Sequence, residues 1–235
     1  MPTAFSSVTA ANAPAIAKVF NSSAIQFAFV NATPQAIAVN ALSDAFSVQL
    51  TNIKSRFNLD RSESARRVYI DVFLHEALPS AAREAIITIE EAISAAAIGQ
   101  GTVDYIVAAV LAGSETVQYQ PSIIIEAKKG MSTVALRDGY QWQLLAEMAA
   151  AKECYDATPG AIKNRGHYYG VLSDGRYWTF YSVSTIVDRT NHLTAYRSDL
   201  LDSETASDCK LIIGSLRYWM AQYTNASGGA TLFKS

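Results

Sequence analysis

Residues Ile123-Ile124-Ile125-Glu126-Ala127-Lys128-Lys129 constrain this chain more than any other stretch. Three consecutive isoleucines, stiff at χ1 and suited to a pleated surface, read as a strand. Side chains alternate between the two faces of a strand. Glu126 and Lys128 therefore project together, while Ile123, Ile125 and Ala127 point the other way. A second apolar strand, Val103-Asp104-Tyr105-Ile106-Val107, carries Asp104. A carboxylate on one strand, with Glu-x-Lys ending its neighbour, suits a hard cation such as Mg²⁺ or Mn²⁺. By pattern alone, an ion pair at a strand end accounts for the same residues equally well.

Composition narrows what such a site could serve. Half of the 235 residues are apolar or aromatic, enough for a sizeable core. Charged residues make up only 17%, and the formal net charge is −2. A strongly basic nucleic-acid clamp is therefore not expected, and any contact with a polyanion must be local or metal-assisted. The two cysteines, Cys154 and Cys209, form no Cys-x-x-Cys pair, which argues against a zinc ribbon or a disulfide scaffold. No His pair has helical ligand spacing. Residues 1–50 carry Lys18 and Asp44 as their only charges and show no basic stretch leading into an apolar one, so no signal peptide is read. No apolar run reaches the roughly 20 residues of a membrane span. The expected location is intracellular, with a nuclear address plausible in a eukaryotic cell.

Along the chain, Thr33 and Pro34 read as the cap and first residue of a helix over 34–57, with Val39, Leu42, Phe46, Leu50 and Ile53 at helical spacing. Asp60 and Glu63 have capping-box spacing for a second helix. Its apolar face is Ile70, Phe73, Leu74 and Ala77, and Pro79 lies beyond its end. Strands are expected over 85–93, 102–111 and 122–128, with a turn at Gly99-Gln100-Gly101 and a connection from Ala112-Gly113-Ser114. A helix is expected over 133–155, with a break at Pro159-Gly160. A hairpin follows, Tyr168–Leu172 and Tyr177–Val183 around Ser173-Asp174-Gly175-Arg176. The last helix carries Cys209, Ile212, Leu216, Trp219 and Tyr223, before a tail at Ser227-Gly228-Gly229. The expected organisation is a helical accessory region over 1–58, a core over 59–190, and a C-terminal helix and tail over 191–235, together in one compact domain.

Three segments in order carry a resemblance: Gly101 to Val107, Ile123 to Lys128, and Gln143-Leu144-Leu145-Ala146-Glu147-Met148. They resemble the PD-(D/E)XK nuclease superfamily, the restriction-endonuclease-like fold. Tyr169 to Trp178 is similar to the strand pair after the second core helix in many members, so the resemblance spans roughly residues 60 to 185. It implies a mixed α/β fold with an α-β-β-β-α-β core. A central mixed sheet would be flanked by helices, with an N-terminal helical layer and a C-terminal helix outside the core. It also implies Mg²⁺- or Mn²⁺-dependent hydrolysis of phosphodiester bonds in nucleic acid, DNA above all.

By the same resemblance Asp104, Glu126 and the Ala127 carbonyl would hold the metal, and Lys128 would act on the attacking water. Glu63 matches an acidic residue on the first core helix that supports the metal, although a capping role explains it as well. Gln143 matches a glutamine near the active site, with Glu147 one turn on. The proline that names the motif is absent, Val103 standing before Asp104. Glu90 and Glu91 are adjacent competitors for the site. Lys129, Arg137, Lys152, Lys163, Arg165 and Arg176 could meet phosphates. Trp142, Tyr168, Tyr169 and Trp178 could stack on bases, but aromatic residues on such elements more often fill a core. The alternatives are a nucleic-acid-binding or regulatory module that keeps the fold without cleaving, and a host-interaction effector built on the same core, similar to proteins of the Crinkler type. Members of the family often form homodimers that cut both strands; in this chain the apolar N-terminal helices are candidates for such an interface, or equally pack on their own core.

Overall fold

The computed structural model describes residues 4–57, 62–78, 85–111, 118–157 and 166–224. Asp60, Pro79, Ala112-Gly113-Ser114, Pro159-Gly160, Lys163, Arg165 and the tail at Ser227-Gly228-Gly229 lie outside them. The elements in chain order are α1 (Ala13–Phe20), β1 (Gln26–Asn31), α2 (Asp44–Arg56), α3 (Glu63–Ala77), β2 (Ala85–Ala95), β3 (Gly99–Leu111) and β4 (Gln118–Ala127). They continue as α4 (Val134–Ala157), β5 (His167–Ser173), β6 (Tyr177–Val187), β7 (His192–Arg197), β8 (Leu201–Asp202) and α5 (Ala206–Thr224).

The strands form one mixed sheet in the order β1-β7-β6-β5-β4-β3-β2, with β8 beside β6. β4 and β5 run parallel, as do β1 and β7; the other neighbours are antiparallel. A parallel pair needs a crossover, and α4 supplies the one between β4 and β5. Helices cover both faces, which makes this a mixed α+β fold with a central mixed sheet flanked by helices. On one face Ile106, Ile124 and Leu172 pack with Ile16 and Phe20 of α1 and Leu144, Leu145 and Met148 of α4. On the other, Tyr105, Ile123, Ile125, Val171 and Phe180 pack with Phe46 of α2, Ile70 and Phe73 of α3, and Ile212, Leu216 and Trp219 of α5. A strand buried on both sides reads as a continuous apolar run, as Ile123-Ile124-Ile125 does. Each of those isoleucines is at most 2% exposed, a burial worth about 1.5–3 kcal/mol apiece.

The structure departs from several expectations. Residues 34–43 are not helical; α2 starts at Asp44, and Ser43 caps it by accepting a hydrogen bond from the Phe46 amide at 3.0 Å. Val39 and Leu42 still pack on the same cluster as α2, so their burial reproduces a helical pattern without a helix. The N-terminal region is not purely helical, because β1 is an edge strand of the sheet. The cap of α3 is Ser62, which accepts from the Ala65 amide at 3.1 Å, so Glu63 is the first helical residue rather than the third; Asp60 lies outside the described residues. The turn between β2 and β3 is at Ala96–Ile98, and Gly99-Gln100-Gly101 already belongs to β3. β7 and β8 extend the sheet beyond the expected hairpin.

Candidate active site

The C-terminal end of β4 is where buried charge collects. Tyr105 pairs with Ile125 at the end of the antiparallel β3–β4 ladder, and Asp104 and Glu126 are the next residues along the two strands. Both carboxylates and Lys128 are buried. The Ala127 amide donates to Asp104 Oδ2 at 2.7 Å, fixing that carboxylate to the neighbouring strand. Lys128 stays in line with the sheet because its own amide donates to the Ser173 carbonyl of β5 at 2.8 Å.

Strand alternation points Glu126 and Lys128 toward α4, and α4 answers with a polar stripe. Lys128 Nζ donates to Glu126 Oε1 at 2.5 Å and to Gln143 Oε1 at 2.8 Å. Gln143 Nε2 donates to Glu126 Oε1 at 2.6 Å and to Glu147 Oε1 at 2.8 Å. Tyr140, one turn before Gln143, lies under the ammonium, with Lys128 Nζ 5.4 Å from its ring centroid. Glu126 Oε2 and Glu147 Oε2 are buried and accept from no group among the described residues.

These surroundings control protonation. Burial pushes the Glu126 carboxyl up to about 7; the nearby Lys128 charge opposes this and Asp104 reinforces it. Glu147, fully enclosed and facing Glu126, is held well above the ordinary carboxylate range, first by burial and then by the Glu126 charge. A proton shared between the two carboxyls would satisfy the oxygens that otherwise lack a donor.

On the far side of Asp104 stands Arg67, from α3. Its guanidinium contacts Asp104 Oδ1, lies 2.6 Å from Glu90 Oε1 and lies 3.5 Å from Glu63 Oε1. Glu90 sits across from Asp104, between the pairs Ile89–Tyr105 and Glu91–Val103, and has φ of 55°. A non-glycine residue in that region costs on the order of 1–3 kcal/mol and tends to mark functional sites. Glu63 therefore meets the cluster at Arg67, and of the two glutamates on β2 it is Glu90 that joins it.

The other candidates lie elsewhere. Arg176 pairs with Asp202 at 2.9 Å and Lys152 with Asp156 at 2.5 Å. Arg137 is buried against Asp138 and the Ser198 carbonyl. Lys129 is exposed beside the site. Trp178, Tyr168 and Tyr169 are buried, and Trp142 packs against Phe27 and Phe29. Gln141 serves a different contact, accepting from Arg197 at 3.2 Å.

Sequence reasoning passed over Arg67, Tyr140 and Asp174. Tyr140 could have been found, since it stands three residues before Gln143 on the same helix face. Asp174 fixes the end of β5. It accepts from the Met131 and Tyr177 amides, both at 2.7 Å, and pairs with Arg66 of α3 at 3.3 Å. Those bonds anchor the loop that carries Lys128 into α4.

Among the described residues, no group of three or more His, Cys, Asp or Glu side chains is placed to hold a metal. Mg²⁺ does not require one, because it is commonly held by one or two carboxylates and completes its shell with water and substrate oxygens. Asp104 and Glu126, close enough for the charge of one to raise the carboxyl of the other and with one Glu126 oxygen unsatisfied, fit that mode. No helix among the described residues is long and apolar enough to cross a membrane. No family model matches the chain, and no curated protein matches it significantly.

Proposed function

We propose that this chain is a divalent-metal-dependent nuclease of restriction-endonuclease-like fold that hydrolyses phosphodiester bonds in DNA. The observation that carries the reading is the meeting of Asp104, Glu126, Lys128 and Gln143 at one strand end, Asp104 tied there by the Ala127 amide and the other three by side-chain hydrogen bonds. Asp104, Glu126 and the Ala127 carbonyl would hold the cation. The chemistry such a Mg²⁺ or Mn²⁺ ion would supply is a lowered pKa for a bound water and polarisation of a phosphoryl oxygen.

The chain's own residues supply the rest. The Ala127 amide keeps Asp104 aimed across the ladder. Glu126 and Gln143 hold the Lys128 ammonium so that it orients the attacking water and offsets charge developing on the phosphorus oxygens. Gln143 also sets the Glu126 carboxylate through its amide. The buried surroundings strengthen these interactions relative to water.

Purified protein with Mg²⁺ or Mn²⁺ should cleave duplex or single-stranded DNA. Glu126→Ala should lose metal-dependent cleavage, and Lys128→Ala should slow it on the order of 10²–10³-fold. An inert wild-type protein, with either metal and with DNA and RNA both offered, would sink the reading. A second reading, a non-cleaving nucleic-acid-binding or effector module, draws support from the Arg67 contact, which gives Asp104 a cation of its own.

A further inference from the structure

The position of Arg67 raises a question that cation binding alone does not answer. One guanidinium is shared by three carboxylates, Asp104, Glu90 and Glu63. Three negative charges against one positive leave −2, the charge a divalent cation would cancel. The three partners also differ in depth. The Asp104 side chain is 5% exposed, that of Glu63 45% and that of Glu90 64%. A guanidinium leaving Asp104 therefore moves toward water while keeping anionic partners. Its Nε is buried with no partner among the described residues, so the inner position does not satisfy the whole group. Asp104 is not left loose by the departure, because the Ala127 amide still holds its Oδ2. The positive φ of Glu90, in the middle of a strand, accompanies a carboxylate placed at the outer end of this track.

We propose that Arg67 is an exchangeable counter-ion: it neutralises Asp104 until a divalent cation binds, then withdraws onto Glu90 and Glu63. The inference rests on the reading of Asp104 and Glu126 as a metal site. It makes Arg67 a positioning residue that lowers metal affinity in exchange for an ordered, charge-balanced site in the free protein.

Opposite signs at two residues test it. Mn²⁺ is titrated calorimetrically into the full chain and its variants, with melting curves as a control on folding. Arg67→Gln removes the competitor and should tighten Mn²⁺ binding roughly tenfold or more, as a cation within contact distance shifts a carboxylate's proton affinity by a similar factor. Arg67→Lys keeps the charge and should stay near wild type. Glu90→Gln removes the outer partner, leaves the guanidinium on Asp104, and should weaken binding several-fold. Arg67→Gln binding Mn²⁺ no tighter than wild type, with an unchanged melting curve, overturns the proposal. If Arg67→Gln does not fold, Glu90→Gln decides: unchanged or tighter binding overturns it. Parallel DNA-cleavage assays keep the two readings apart. Opposite-signed affinities in a protein that cuts nothing retain Arg67 and reject the nuclease. Cleavage with unaltered affinities does the reverse, and no Mn²⁺ binding by any variant rejects both.

Discussion

Gln143 does three jobs with one amide. Its oxygen accepts from Lys128, and its nitrogen donates to both Glu126 and Glu147. Few other side chains carry a donor and an acceptor in one planar group, so the triangle of an ammonium and two carboxyls has no simple substitute. If the chain is the nuclease proposed, Gln143→Ala should lower the single-turnover cleavage rate on the order of 10–100-fold, the usual loss when a partner of a metal ligand is removed. Gln143→Glu should do worse, since it places a third carboxyl in a buried pair that already resists ionisation. Quenched-flow rates at saturating Mn²⁺ would measure both; a wild-type rate for Gln143→Ala would remove the residue from the mechanism. In the sequence, alternation set Glu126 and Lys128 on one face and one helical turn set Glu147 beside Gln143, but only the family resemblance brought Gln143 to that strand end. Arg67 obeys no such rule. It is 37 positions from Asp104, and only the packing of α3 against the sheet brings them together. Arg66 and Asp174, 108 positions apart, were hidden for the same reason.

At the scale of elements, long strands and helices with strong patterns were readable. β2, β3, β4, α4, the β5–β6 hairpin and α5 all occur where expected, with ends displaced by a few residues. β1 and β7 were missed because each is short, and Gln26 to Asn31 has little of the branched content that marks a strand. The overturned helix over 34–43 has a tertiary cause. The Ile37 amide donates to the Gly214 carbonyl of α5 at 3.0 Å, so this segment spends its hydrogen-bonding capacity on another element. The contact requires glycine. A Cβ on Gly214 would lie 2.4 Å from the Ile37 carbonyl oxygen, a backbone atom that cannot rotate away. Helix propensity alone favours Gly214→Ala by about 1 kcal/mol. The clash opposes it, and overpacking of this kind costs about 1–3 kcal/mol. The net expectation is destabilisation. A urea midpoint equal to or above wild type would show that residues 36–37 can step aside at no cost.

For the molecule as a whole, the buried carboxyls make stability depend on pH in a particular sense. Burial raises Glu126, Glu147 and Asp174 above their ordinary values. A carboxyl with a raised folded-state pKa binds more protons folded than unfolded, so the stability it provides is lost as pH climbs through that window. For Glu126 the window runs from 4.5 to about 7, a shift worth on the order of 3 kcal/mol. Other groups pull the opposite way. His167 is lowered by burial, so its contribution rises with pH, but only below its ordinary value of 6.5. Asp202, lowered by its hydrogen bonds with Arg176, acts below 3.8, outside the range in question. Glu126 and Glu147 against one histidine should give metal-free protein a melting temperature that falls between pH 5 and pH 8. Glu126→Gln should flatten that slope, because an amide has no proton to lose. If Asp104 and Glu126 bind a divalent cation as proposed, a saturating concentration should raise the melting temperature most at pH 8, where these carboxylates are already ionised and ligand binding stabilises by mass action. Melting curves at four pH values, with and without Mn²⁺, measure both dependences in one experiment. A metal-free melting temperature that rises steadily from pH 5 to pH 8 would mean that the Glu126–Glu147 pair does not hold its proton in the folded protein.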